Sequence, residues 1–248
     1  MIKRIIPIAL IMTFAGCAEL MQIAEQADTR RPLTQQEVIN GLKQALTIGA
    51  DSAASKLSAV DGYYRDNLVK IMLPPEAEVI TGNISLIPGG EKMVENVILR
   101  INRAAENAAK EAAPVFAGAV SNMTIHDGFE ILRGEKDAAT QYLKVQTYGK
   151  LYNLYLPKIK NSIDKTIVGG ISTAESWELL TGHWNTLAGS TAGKIAGLKT
   201  VDIELDRYLT EQALKGLFLK LAQEEEKIRT DPAARVTELL KRVFGFRA

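Results

Sequence analysis

The stretch from Asp202 to Ala222, DIELDRYLTEQALKGLFLKLA, restricts the fold more than any other part of this chain. At about 100° per residue, Leu205, Tyr208 and Leu209 share one side, while Leu214, Leu217, Phe218, Leu219 and Leu221 point almost all the way round. A helix of that kind needs neighbours on every flank. Lys215 and Lys220 interrupt it, but their aliphatic stems can lie along apolar surface while the ammonium groups reach water. The expected fold class is therefore all-α, a single multi-helix bundle around a central C-terminal helix over about residues 202–228. Only Ile84 to Ile87 leaves room for one short strand or turn.

Other helix signals are spread along the chain. Thr34 and Glu37 have capping-box spacing ahead of a helix that places Val38, Leu42, Ala45, Leu46, Gly49, Ala53 and Leu57 near one face. Asp61 to Gly90 contains Pro74-Pro75, Gly82-Asn83 and Pro88-Gly89-Gly90, and reads as irregular. Glu91 to Ala112 reads as one helix, with Val94, Val97, Ile98, Ile101, Ala105, Ala108 and Ala112 on one face and Asn102, Arg103, Glu106 and Lys110 on a polar side. Arg103/Glu106 and Glu106/Lys110 have pairing distances there. Pro114 restarts the chain, Thr124 and Asp127 open a short helix, and Gly134 closes it. Asp137 is expected to cap a long helix that Pro157 kinks or ends near Leu156. Ser172 and Glu175 form a second capping box, residues 189–197 read as a Gly/Ala-rich connection, and Asp231-Pro232 opens a last helix closed by Gly245. No long Pro/Ser linker divides the chain, so residues 34–248 are expected to form one helical domain.

The N-terminus gives the clearest functional signal. Lys3 and Arg4 precede the apolar run Ile5 to Phe14, which is too short to span a bilayer, and small residues follow. Residues 1–16 read as a signal peptide. The order Phe14-Ala15-Gly16-Cys17 resembles the lipobox of bacterial lipoproteins, which implies cleavage before Cys17 and acylation of its thiol and new amine. Residues 17–33 are then the lipid anchor and its tether. Cys17 is the only cysteine, so no intramolecular disulfide and no cysteine metal cluster can form. Ala18 stands where inner-membrane lipoproteins typically carry Asp, which favours the outer membrane facing the periplasm. The formal charge is +1, and losing Lys3 and Arg4 makes it −1. Such a balanced surface argues against nucleic acid as a partner.

Several fragments invite a catalytic reading, and each has a simpler one. Ser162-Ile163-Asp164-Lys165 has S-x-x-K spacing without the companion motifs of that chemistry. Gly189 to Lys194 is one residue short of a phosphate loop, and Ile195 replaces the metal-binding hydroxyl. Glu175-Ser176 matches the pair around the acid of lytic transglycosylases, although capping already accounts for Glu175. His126 and His183 lack a metal-site pattern, so neither a metal nor another cofactor is expected. Glu225, Arg229 and Arg235, with Asn102, Arg103 and Glu106, form a candidate polar cluster that can line a ligand pocket or serve as structural ion pairs.

Asn102-Arg103-Ala104-Ala105-Glu106 with Ala112-Ala113-Pro114-Val115-Phe116, then Met123-Thr124-Ile125 through Asp137-Ala138-Ala139-Thr140, then Ala213-Leu214 and Gly216-Leu217-Phe218 through Glu224-Glu225, Ile228-Arg229, Pro232 and Arg235, resemble an uncharacterised bacterial family of exported helical proteins, a domain of unknown function. Gly41-Leu42-Lys43 with Ala45-Leu46 resembles its opening. The likeness covers about residues 36 to 245 and departs between Thr166 and Thr200. It implies an all-helical fold and a periplasmic setting, with no activity to carry over. The expectation is a periplasm-facing lipoprotein, held to the membrane by its N-terminal lipid, that binds an envelope protein or a small ligand or plays a structural part. The alternative is a cell-wall glycosidase with Glu175 as general acid.

Overall fold

The computed structural model describes residues 32–82, 90–165 and 172–245. The signal peptide, Cys17 and nearly all of the expected tether, and the Ile84 to Ile87 stretch, lie outside them. The Thr34 capping box forms as its spacing requires: Thr34 Oγ1 accepts from the Glu37 N–H, and the Glu37 carboxylate accepts from the Thr34 N–H at 2.9 Å. It opens α1 (Gln35–Ser58). A loop and a 3-10 turn (Pro75–Ala77) lead to the short α2 (Glu78–Thr81), and then follow α3 (Gly90–Ala109), α4 (Ala112–Asn122), α5 (Ile125–Arg133), α6 (Ala138–Ile163), α7 (Thr173–Gly189), α8 (Thr191–Ile195), α9 (Leu205–Thr230) and α10 (Glu238–Gly245). Among the described residues there are ten α-helices and no strand. None of these helices is long and apolar enough to cross a membrane.

Helix α9 is central, packed against α6, α1 and α3. Leu209, Leu214, Leu217, Phe218 and Leu221 are buried. One flank stays open. Leu219 is 41% exposed, and Gln212, Lys215, Ala222 and Glu226 lie in the same solvent-facing sector, so the helix is enclosed on most flanks and not all. The helix also begins at Leu205, later than Asp202, because the preceding backbone is taken by α7. Trp184 Nε1 donates to Lys199 O (2.8 Å), Asn185 exchanges bonds with both the N–H and the C=O of Val201 (2.7 and 2.8 Å), and Trp177 Nε1 donates to Ile203 O (3.4 Å). Alternate residues of an extended segment are thus paired along a helix face.

Buried residues of α6 recur every fourth position: Ala139, Leu143, Thr147, Leu151, Tyr155, Ile159 and Ile163. A row of that spacing is one of the ridges by which helices interlock at steep angles, and α6 uses it against α9 and α3. Of the two outcomes expected of Pro157, a kink or an end near Leu156, the end does not occur, and the helix runs on to Ile163. Pro157 sits on the exposed side, as does Asn153, whose carbonyl loses its partner, and the burial of Tyr155 and Ile159 holds the turn together. On α3, Ala104, Ala105, Ala108 and Ala109 are fully or almost fully buried and let neighbouring backbones approach closely.

Three further boundaries differ from expectation. The expected Glu91 to Ala112 helix is broken at Lys110-Glu111, so Ala112 starts α4. The Gly/Ala-rich connection is helical, with α7 reaching Gly189 and Ser190 Oγ capping α8 through the Gly193 N–H (3.0 Å). Asp231-Pro232 opens a single 3-10 turn, and α10 starts separately at Glu238.

Candidate functional site

The candidate polar residues fall into two groups with different partners, so they do not line one shared pocket. The first belongs to α3. Asn102 and Glu106 were expected on a polar side, yet Asn102 is fully buried and Glu106 only 4% exposed, because both reach into the loop after α1. Asn102 Oδ1 accepts from the Ile71 N–H (2.9 Å), and its Nδ2 donates to Ile71 O (2.8 Å) and Ile98 O (2.7 Å). Glu106 Oε1 accepts from the N–H groups of Tyr63 and Tyr64 at 3.2 and 3.3 Å. Its other oxygen accepts from Arg103 Nη1 at 2.6 Å, as the i,i+3 spacing predicts, and Arg103 Nη2 continues to Asp61 at 2.6 Å. Lys110 instead donates to Asn107. The Tyr63 hydroxyl donates to Ala213 O on α9 (2.8 Å), and burial, with Tyr155 and Glu106 nearby, pushes its pKa well up.

Asp61 has φ of 70°, in the left-handed region, where Asp is tolerated better than most residues. Gly62 is required for space: a Cβ there would lie 2.3 Å from Lys56 O. Asp61 also binds Arg65 at 2.9 Å. Lys56, Asp61, Arg65, Asp66, Asn67 and Lys220 surround an open surface depression of about 390 Å³. Its cations are already matched, Lys220 by Asp66 and Lys56 by Glu224.

The second group belongs to α9. Glu225 is buried, and its carboxylate accepts from the N–H groups of Ala139 (3.0 Å) and Thr140 (2.8 Å) and from the Thr140 hydroxyl (2.8 Å). It therefore caps α6 from another helix. Asp137, expected to do this, makes no side-chain cap and instead accepts from Gln141. Arg229 binds Glu225 through Nε (2.9 Å) and donates from Nη2 to Ile131 O near the end of α5 (3.1 Å). Arg235 donates to Ile228 O and Arg229 O, closing the end of α9.

Glu175 sits in its capping box, its carboxylate accepting from the Ser172 N–H at 2.6 Å while its own N–H donates to Ser172 Oγ at 3.0 Å. The residue is exposed. Ser162 Oγ accepts from Asn107 Nδ2 at 3.4 Å in the last turn of α6. His126 is exposed in the first turn of α5, and among the described residues no group of three or more His, Cys, Asp or Glu is placed to hold a metal ion.

A family described as "Protein of unknown function (DUF4197)" matches residues 32–245. The chain belongs to this family. No curated protein and no solved structure matches it. The DUF4197 match takes in both polar groups and all ten helices of the described residues, and Cys17 lies before it. Asn185 is a DUF4197-span residue that sequence reasoning passed over, although it does for Val201 what Asn102 does for Ile71. Its only sequence signal was an amide in the middle of an amphipathic helix. Asp61-Gly62 carried a stronger one, a turn dipeptide directly after a helix pattern.

Proposed function

We propose that this DUF4197 chain is a lipid-anchored envelope protein, attached through Cys17 at the outer membrane and facing the periplasm, that works by binding and not by catalysis. The observation supporting the binding reading is where the polar side chains direct their hydrogen bonds. Asn102, Glu106, Glu225 and Glu175 all point their acceptors at backbone N–H groups. A general acid or nucleophile needs its reactive atom presented to a substrate. Here those atoms hold the framework, and recognition falls to the surfaces that the framework supports. The lipobox-like residues Phe14 to Cys17 support the anchor.

The test has two parts. Wild-type chain expressed in a bacterial host takes up labelled palmitate and partitions with the outer membrane, whereas Cys17→Ser takes up none and is recovered soluble. Purified protein leaves peptidoglycan intact, and Glu175→Gln changes nothing. Absence of lipid on the wild-type chain by mass spectrometry removes the anchor. Peptidoglycan cleavage that vanishes in Glu175→Gln replaces binding with a glycosidase.

A further inference from the structure

The open flank of α9 repeats with the spacing of a helix–helix seam. Gln212, Lys215, Leu219, Ala222 and Glu226 follow one another at intervals of three, four, three and four residues, the alternation by which one helix packs along another. Among the described residues nothing covers this seam. Lys215, Leu219 and Glu226 are exposed, and Gln212 and Ala222 are half-buried.

The charges on the seam also stand apart from others on the same helix. Lys220 is paired with Asp66, Glu224 with Lys56 and Lys227, and Glu225 with Arg229. Lys215 and Glu226 have no ion-pair partner among the described residues, although Glu211 stands one turn before Lys215. Apolar surface continues beside them on α6. Tyr148 lies against Phe218 with ring centres 6.3 Å apart and is 37% exposed, and Val145, one turn earlier, is 81% exposed. Large apolar side chains left in water close together mark a surface for a partner.

We propose that this flank pairs with the same flank of a second copy of the chain, the two α9 helices running antiparallel about a two-fold axis between Lys220 and Leu221. In that register Leu219 of each copy faces Ala222 of the other and Lys215 faces Glu226, so every contact is made twice. The order cation, leucine, alanine, anion is its own complement when reversed, and this selects a second copy as the occupant. It also selects the direction. A parallel pair sets Lys215 against Lys215 and Glu226 against Glu226, and like charges along a seam repel. Ala222 is small enough for Leu219 to seat over it. From Lys215 to Glu226 the seam runs about three turns, roughly 17 Å, so Val145 and Tyr148 are needed to widen the contact, and the dimer is of modest strength. This goes beyond the reading of the chain as an anchored binding protein and does not depend on lipid at Cys17.

Sedimentation equilibrium of the Cys17→Ser chain, which has no thiol for chance cross-linking, provides the test. The expected dissociation constant is on the order of 10 μM. Lys215→Glu sets carboxylates against each other at both ends of the seam, and Glu226→Lys does the same with lysines, so each weakens the dimer at least about tenfold. The double reversal, Lys215→Glu with Glu226→Lys, restores both ion pairs with their signs exchanged and returns affinity to within about threefold of the parent. Should a reversal upset the fold, salt reads the same pairs in the parent: raising sodium chloride from about 50 to about 500 mM weakens its dimer at least about threefold. A parent that stays monomeric up to about 200 μM, single reversals that leave the dimer unchanged, or a double reversal no better than the single ones overturns the proposal. A dimer indifferent to salt overturns it as well. None of these outcomes bears on the palmitate or peptidoglycan results, so the two proposals fall separately.

Discussion

A buried polar group costs stability unless its partner is buried with it, and the polar residues inside this bundle nearly all meet that condition. Asn102 and Asn185 each satisfy both backbone groups of one residue in a non-helical segment, Ile71 and Val201. An asparagine amide presents one donor and one acceptor side by side, as a neighbouring strand does, which is why the same residue type serves both places. Two fully buried tyrosines show the rule and a departure from it. The Tyr63 hydroxyl donates to Ala213 O at 2.8 Å, whereas the Tyr155 hydroxyl has no hydrogen-bond partner among the described residues. Burial pushes the Tyr155 pKa up, with Glu111 adding to it, so the group stays neutral and its cost is one of lost hydration. Tyr63→Phe is therefore expected to destabilise the protein by about 0.5–1.5 kcal/mol, while Tyr155→Phe leaves stability unchanged or raises it by up to about 1 kcal/mol. Urea titration of both variants checks this. Equal losses would mean that Tyr155 has a bonding partner after all.

Between elements, the same chemistry fixes where helices start. The first N–H groups of any helix lack internal partners, and on α6 those of Ala139 and Thr140 are met by Glu225 of α9, with the negative charge also placed favourably at a helix N-terminus. Local sequence pointed to Asp137, because capping rules look only at neighbours along the chain. A cap supplied 85 residues away leaves no such trace. Glu225→Ala removes the cap and strands Arg229, and is expected to cost about 3–5 kcal/mol, with Glu225→Gln in between. Asp137→Ala should cost no more than about 0.5 kcal/mol. Thermal or urea unfolding measures both, and a larger loss from Asp137→Ala would return the cap to its local candidate. The two prolines were legible to different degrees for a related reason. Pro114 falls in the first turn of α4, where its missing N–H is not needed, so the break at Lys110-Glu111 follows from it. Pro157 carries the same signal in mid-helix, and only the packing of Tyr155 and Ile159 on the opposite side overrides it.

For the whole bundle, the all-α class and the central place of α9 could be read from Leu209, Leu214, Leu217, Phe218 and Leu221, since hydrophobic spacing survives whatever the neighbours are. The candidate site was legible only as a set of residues. Asn102, Arg103, Glu106, Glu225, Arg229 and Arg235 were picked out, but their division into two groups depends on which distant backbone each one meets. Charge ties the assembled elements together, and its response to acid follows with a definite sign. Burial pushes Glu224 up, but bonds from Lys56, Lys227 and Ser52 outweigh it and hold its pKa below the usual carboxylate value. Asp66 is likewise pushed up by burial and brought lower by Lys220 and the Leu68 N–H, and Asp127 is lowered by the Thr124 N–H and hydroxyl. These contacts join α9 to α1, join α9 to the loop after α1, and open α5. All three carboxyls hold protons less readily folded than unfolded, so their stabilisation is complete above the ordinary carboxylate range and is lost as pH falls through the lowered folded values. The urea midpoint should hold nearly level from pH 7 to about 5 and fall below about pH 4. Glu224→Gln should start lower at pH 7 and fall less steeply in acid, because one of the titrating ties is gone. A wild-type midpoint that stays level down to pH 3, or a Glu224→Gln curve parallel to wild type throughout, would show that these ion pairs bind no more tightly in the fold than water binds them in the open chain.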